Sequence, residues 1–175
     1  MRALAAGVLL LLAGCAGSYR NSSVAITSIA AFDTDRFAGR WYEIARYPVP
    51  FEEDCKLVSA ELEPLAGGDY AVDMFCHFEG VTGPGRLMTG TLRRQGPARY
   101  RLDLPAAGYS GDYWVLWVDE NYRTAVIGQP GGGAGWILNR DTAIPLDRLR
   151  AAREILDWNG YDLDPLIFVN QGGPL

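Results

Sequence analysis

Three cysteines, one histidine and a few clustered carboxylates are the side chains in this 175-residue chain whose types could do covalent or acid–base chemistry. The cysteines divide into one and two. Cys15 ends an apolar N-terminal run, whereas Cys55 and Cys76 flank a hairpin whose turn falls near Leu65-Ala66. The midpoint of the pair lies at that turn, so the two should face each other across neighbouring strands, at a separation a disulfide can bridge. Closing this loop would stabilise the fold by about 3 kcal/mol, and an exporting cell provides the oxidising compartment. The competing reading is a free thiol in a cavity, which would point to an enzyme. His77 has no serine and carboxylate in evident register, and one histidine alone makes no metal site. It therefore reads as a structural or surface residue. Gly131-Gly132-Gly133 lacks a following Lys-Ser/Thr, which makes it a hairpin and not a phosphate loop. Glu52, Glu53 and Asp54 read as a solvated rim, with selection of ligand headgroups as the sharper alternative. Neither a metal nor a cofactor is expected.

The rest of the chain says what must hold these groups. One domain is the natural count for this length, and 49% hydrophobic with 21% charged residues is a globular composition. The net charge of −5 shows no nucleic-acid footprint, so nucleic acid is not expected as a partner. Any membrane attachment must come from something other than surface charge. Residues 1–14 read as a signal peptide. Arg2 is its positive region, the stretch 3–13 is almost wholly apolar, and Leu12-Ala13-Gly14-Cys15 carries the small residues of a cleavage site. The apolar run is too short to be a permanent membrane span. Residues 15–31 read as a tether, and 32–175 as the folded domain.

From Arg40 onward, short alternating runs separated by Gly, Pro, Asn and Asp predict eight strands. The first starts at 40, and the others cover 56–62, 70–78, 86–93, 99–104, 113–118, 122–128 and 135–140. Alternation puts Trp41, Glu43 and Ala45 on one face of the first strand, and Tyr42, Ile44 and Arg46 on the other. On the sixth, Tyr113, Val115 and Trp117 share one face, and Trp114, Leu116 and Val118 the other. Both faces are apolar, so that strand must be covered on both sides. Pro145 then fits the first turn of a helix with Leu146, Leu149, Ala152, Ile155 and Leu156 in one stripe. Asn159-Gly160 ends it, and 166–169 reads as a short extra strand.

Three ordered blocks carry a family resemblance. Phe37-Ala38-Gly39-Arg40-Trp41-Tyr42-Glu43-Ile44-Ala45-Arg46 is similar to the opening signature of the lipocalins, in the branch shared by bacterial lipoprotein lipocalins and apolipoprotein D. Asp119-Glu120-Asn121-Tyr122-Arg123 and Trp136-Ile137-Leu138-Asn139-Arg140 resemble the second and third blocks of that family. The resemblance implies an all-β fold, an eight-stranded up-and-down antiparallel β-barrel with a C-terminal α-helix packed outside. It also implies a short 3₁₀ turn at the closed end and a barrel-closing set of Gly39, Trp41 and Arg140, the guanidinium stacked on the indole. Leu12-Ala13-Gly14-Cys15 resembles the bacterial lipobox. That implies lipidation of Cys15 and, with Ala16 next, retention at the bacterial outer membrane.

Bacterial relatives set aromatic residues matching Tyr113 and Trp136 against a bound acyl chain. The expected ligand-binding residues are therefore Tyr113, Val115, Trp117, Trp136, Leu138 and Glu43. The implied partners are a fatty acid or lysophospholipid in the barrel, and the outer membrane through the lipid anchor. Two alternatives stay open: a lipocalin-fold enzyme acting on a lipid, and a filled barrel serving as a structural or docking lipoprotein. Non-enzymatic binding is the expectation. Oligomeric state is not written in the sequence, and a homodimer stays open.

Overall fold

The computed structural model describes residues 17–80, 83–169 and 171. The signal-peptide and lipidation readings, Cys15 included, lie outside the described residues. The barrel is entered through α1 (Thr34–Phe37), where the Asp33 side chain caps the helix by accepting from the Asp35 and Arg36 amides. This turn is α-helical, not the 3₁₀ turn expected. Eight strands follow: β1 (Gly39–Arg46), β2 (Leu57–Pro64), β3 (Tyr70–His77), β4 (Gly85–Gly96), β5 (Arg99–Leu104), β6 (Tyr109–Val118), β7 (Thr124–Gly128) and β8 (Gly135–Asn139). Each pairs antiparallel with the next, and β8 returns to β1, which also pairs with β2, so the barrel closes. Helix α2 (Leu146–Trp158) packs outside against β6 and β7. The short β9 (Ile167–Phe168) pairs with β1 at Ala45 and Arg46, beyond the point where β2 has left it.

Two apolar clusters divide along the barrel wall. Trp41, Met74, Tyr113 and Trp136 belong to the inner one; Ile44, Leu116, Val126, Ala152 and Leu156 belong to the outer one under α2. Strict alternation fails twice. In β1 the register against β8 shifts between Glu43 and Ala45, and in β6 the register against β7 shifts between Val115 and Trp117. Each bulge places two consecutive apolar residues, Ile44-Ala45 and Leu116-Trp117, toward the outer cluster. Parity beyond each bulge is inverted. Ala45, expected inside, faces out, and Arg46, expected outside, turns in.

Other boundaries move for local reasons. β6 begins at Tyr109, not Tyr113, because 109–112 pair along β5 from Leu104 back to Arg101. At Gly111 a Cβ would lie 2.4 Å from the Tyr109 hydroxyl, so any larger residue would push that side chain aside. Pro145 is the helix N-cap, outside the first turn, and Leu146 at the start of the expected stripe is exposed. Cys55 and Cys76 are bonded, with their Cα atoms 5.2 Å apart. They are not ladder partners, however. Cys76 pairs with Val58, and Cys55 reaches its partner from the loop before β2.

Residues 17–31 are not a free tether from Gly17 onward. Arg20 is buried and donates to the carbonyls of Asn159 (3.0 Å), Pro130 (2.6 Å) and Val24. The Tyr19 amide donates to Gly132 at 2.8 Å and the Asn21 amide to Gly160 at 2.7 Å, so this segment is a docked arm.

At the closed end the Arg140 guanidinium lies 3.7 Å from the centre of a Trp41 ring. It donates to the carbonyls of Arg40 (2.7 Å), Arg36 and Ala38 (both 2.8 Å) and Tyr122 (3.3 Å). Trp41 Nε1 donates to the Phe37 carbonyl at 2.8 Å. Gly39 has φ +88°, where an L side chain is strained. Arg140→Lys keeps the charge but loses the planar fork that serves four carbonyls. It should cost about 2 kcal/mol in a urea titration, and a loss within error would show that the stack is incidental.

Candidate functional site

The inner wall of the barrel surrounds a small cavity of ≈ 30 Å³ next to Trp41, Glu43, Met74, Tyr113, Trp136 and Leu138. Four of the six expected ligand residues are thus together: Glu43, Tyr113, Trp136 and Leu138. The Tyr113 and Trp136 rings lie 5.9 Å apart. Val115 also points inward and is fully buried, but it packs toward the closed end, where its amide donates to Ala98 at 2.9 Å. Trp117 is a correction. The β6 bulge carries it outward, where it packs against the outer cluster under α2.

The volume is a second correction. The expectation was a hollow for a hydrocarbon, yet ≈ 30 Å³ is about a tenth of the smallest ligand pockets. The mouth is closed by residues 48–54, in which Pro50–Glu52 forms a single 3₁₀ turn. The Phe51 ring lies 4.5 Å from that of Tyr109, and Arg86 donates to the Phe51 carbonyl at 3.0 Å. Phe51, Arg86 and Met88 border a further hollow of ≈ 210 Å³ at the mouth.

Beside the cavity is a charge cluster that strand alternation did not reveal. Arg46, turned inward by the β1 bulge, donates to Glu43 Oε1 at 2.7 Å and faces Glu52 Oε2 at 3.9 Å. It also donates to the Cys55 carbonyl at 2.7 Å and the Glu52 carbonyl at 3.3 Å. Trp136 Nε1 donates to Glu52 Oε2 at 3.2 Å, while Glu52 Oε1 is buried with no partner among the described residues. Glu52, expected on a solvated rim, is 0% exposed. Burial pushes the Glu43 carboxyl up to about 7 despite the Arg46 charge beside it. Glu52 is raised well above its ordinary value, by burial first and by Glu43 second. Burial of two carboxyls around one guanidinium disfavours their charged forms, so both hold their protons to higher pH than exposed carboxyls do. Gln171 completes the surroundings, donating to the backbone carbonyls of Glu43 (2.7 Å) and Val58 (3.0 Å).

With Cys55 and Cys76 bonded, neither offers a free thiol for the enzymatic alternative. His77 packs its ring 4.5 Å from Phe75 and is half-buried. Among the described residues no group of three or more His, Cys, Asp or Glu is placed to hold a metal ion.

Comparisons with known proteins agree with this architecture. A family model described as a lipocalin-like domain matches residues 32–171. The chain is 31% identical over 152 residues to a putative lipocalin of Acanthamoeba polyphaga mimivirus, covering 81% of this chain and 86% of the relative. It is 28% identical over 158 residues to the outer membrane lipoprotein Blc of Escherichia coli K12, covering 85% and 84%. Among solved structures, insecticyanin from the tobacco hornworm Manduca sexta superposes with a TM-score of 0.64 at 21% identity, covering 83% and 84%.

Proposed function

Because this chain belongs to the lipocalin family, whose members generally bind small hydrophobic ligands, we propose that it holds a single-chain lipid, a fatty acid or lysophospholipid, at the bacterial outer membrane. A lipid on Cys15 would attach it there, and similarity to an outer membrane lipoprotein supports that attachment. The observation that carries the reading is the inner wall. Trp41, Met74, Tyr113, Trp136 and Leu138 offer an apolar surface that meets a charged cluster at Glu43. Such a wall takes a hydrocarbon tail by burial alone, at about 25 cal/mol per Å², and places a polar group where a headgroup would lie. The reading includes no covalent step.

The structure is a closed form in this reading. A tail must displace Phe51 and join the inner cavity to the hollow at the mouth. Phe51→Ala should therefore bind an environment-sensitive fatty-acid probe severalfold more tightly than the native chain, with lysophospholipid competing. The small cavity favours a second reading, a filled barrel that serves as a structural or docking lipoprotein. Native mass spectrometry of protein purified from its own host separates the two. A co-purifying single-chain lipid supports the carrier. A bare protein mass, with no probe binding by either the native chain or Phe51→Ala, supports the filled barrel.

A further inference from the structure

The lipid anchor in the reading above has a geometric consequence. The arm that follows it has no slack: the Ser18 hydroxyl donates to Gly131 at 2.9 Å, the Tyr19 amide to Gly132 at 2.8 Å, and Arg20 is buried. From Gly17 back to Cys15 is a span of two residues, at most about 7 Å when extended. A bilayer that holds acyl chains on Cys15 must therefore lie against the part of the barrel around Gly17. No flexible linker can hold the protein away from it.

What surrounds Gly17 suits contact with lipid. Gly17, Tyr19, Val49, Pro50 and Ile167 border a groove of ≈ 460 Å³ beside the 48–54 segment, within the size range of ligand pockets, and Arg46, Glu52 and Glu53 supply charge on its lining. On β9 the consecutive residues Ile167 and Phe168 are 43% and 42% exposed. Among the described residues β9 pairs with β1 alone, which leaves its other edge without a strand partner. The two side chains point to opposite sides of the strand, Ile167 to the groove and Phe168 under Arg153. Large apolar side chains exposed beside a strand edge are a liability in water and an asset against acyl chains. The charges nearby are mixed, with Arg153 over the Phe168 ring at 5.8 Å and Arg46, Glu52 and Glu53 at the groove. Together with the net charge of −5, this suits a zwitterionic surface better than an anionic one.

We propose that the face formed by Gly17, Tyr19, Ile167 and Phe168 rests on a zwitterionic phospholipid bilayer, with the adjoining groove open to its acyl chains. The inference rests on the lipid-anchor reading of Cys15. It fixes the orientation of the barrel: β9 and the arm lie toward the membrane, and β4 lies away from it.

The test uses the full lipidated protein with one introduced thiol, Phe168→Cys, Leu87→Cys on β4 or Leu65→Cys after β2, each labelled with a polarity-sensitive fluorophore. With Cys15 acylated and Cys55 bonded to Cys76, the introduced thiol is the one labelled. The proteins are reconstituted into phosphatidylcholine–phosphatidylethanolamine vesicles that carry doxyl-labelled acyl chains. Quenching is expected to be severalfold stronger at position 168 than at 87 or 65, with a blue-shifted emission there alone. Equal quenching at all three positions, in protein that floats with the vesicles, overturns the docking face. Protein that fails to float and carries no lipid mass on Cys15 overturns the anchor reading, and the docking face with it.

Discussion

Arg46→Leu is expected to cost about 3–5 kcal/mol of folding stability, the range for breaking a buried ion pair by removing one partner. Among the described residues Arg46 is the one cation paired with the two buried carboxyls, 2.7 Å from Glu43 and 3.9 Å from Glu52, with its side chain 8% exposed. Its removal takes away the charge that favours ionisation of Glu43 and Glu52, forcing both acids to stay protonated, and takes the donors from the Cys55 and Glu52 carbonyls. Leucine fills part of the space, so the cost is electrostatic more than a cavity. Urea unfolding at pH 7 measures it. The double variant Glu43→Leu with Arg46→Leu should recover part of the loss, because an apolar replacement of a whole pair is often neutral. A loss below about 1 kcal/mol would be the value of an exposed pair, and would show that water reaches the cluster. The same residue holds the loop that covers the mouth, so the single variant should also admit the fatty-acid probe more readily.

Most of the barrel could be read from the sequence because its signals are local. Glycine and proline turns mark the strand ends, and the switch from a two-residue to a three-to-four-residue apolar period marks α2. The Trp41–Arg140 pairing came from family blocks, and its parity survives because both residues lie beyond reach of the bulges. What could not be read follows from those bulges. An inserted residue leaves no mark in composition when the residues on both faces are apolar, as in Ile44-Ala45 and Val115-Leu116-Trp117. One missed insertion sent Trp117 to the lumen instead of to α2. The other hid Arg46, and with it Glu52, since a carboxylate beside Glu53 and Asp54 reads as solvated unless a buried cation is known to face it. A faint signal was present: a face that ran Tyr42, Ile44, Arg46 mixed an aliphatic core residue with a charge. The closed lumen was beyond reach for a different reason. Its volume depends on how Phe51, Met74 and Met88 are seated, and alternation says nothing about that.

Stability should fall as pH rises from about 5 to about 8, opposite to the trend set by ordinary salt-bridged carboxylates. Burial raises Glu43 to about 7 from an unfolded value of 4.5, and raises Glu52 in the same direction. Below 4.5 both states hold the proton, and the contribution is fully present. Between the two values the folded chain keeps a proton that the unfolded chain has released, so each step upward in pH favours unfolding until the folded group too has titrated. At about 1.4 kcal/mol per pKa unit the loss across this window is on the order of 3 kcal/mol. The other polar groups facing the cluster do not cancel it. Burial raises the Tyr113 and Tyr109 hydroxyls, which stay protonated, and Trp136 contributes only a neutral N–H. Urea midpoints at pH 5, 6, 7 and 8 test the slope. Glu52→Gln removes one acid while keeping an acceptor for Trp136, so its profile should be flatter and its stability at pH 8 higher than that of the native chain. A native midpoint that rises with pH would mean that Arg46 outweighs desolvation and that both carboxylates are charged in the fold. If the slope is as expected, the ionised form carries one uncompensated negative charge beneath the 48–54 loop. Lid opening, read as fatty-acid probe uptake, should then increase over the same pH window and lose that dependence in Glu52→Gln.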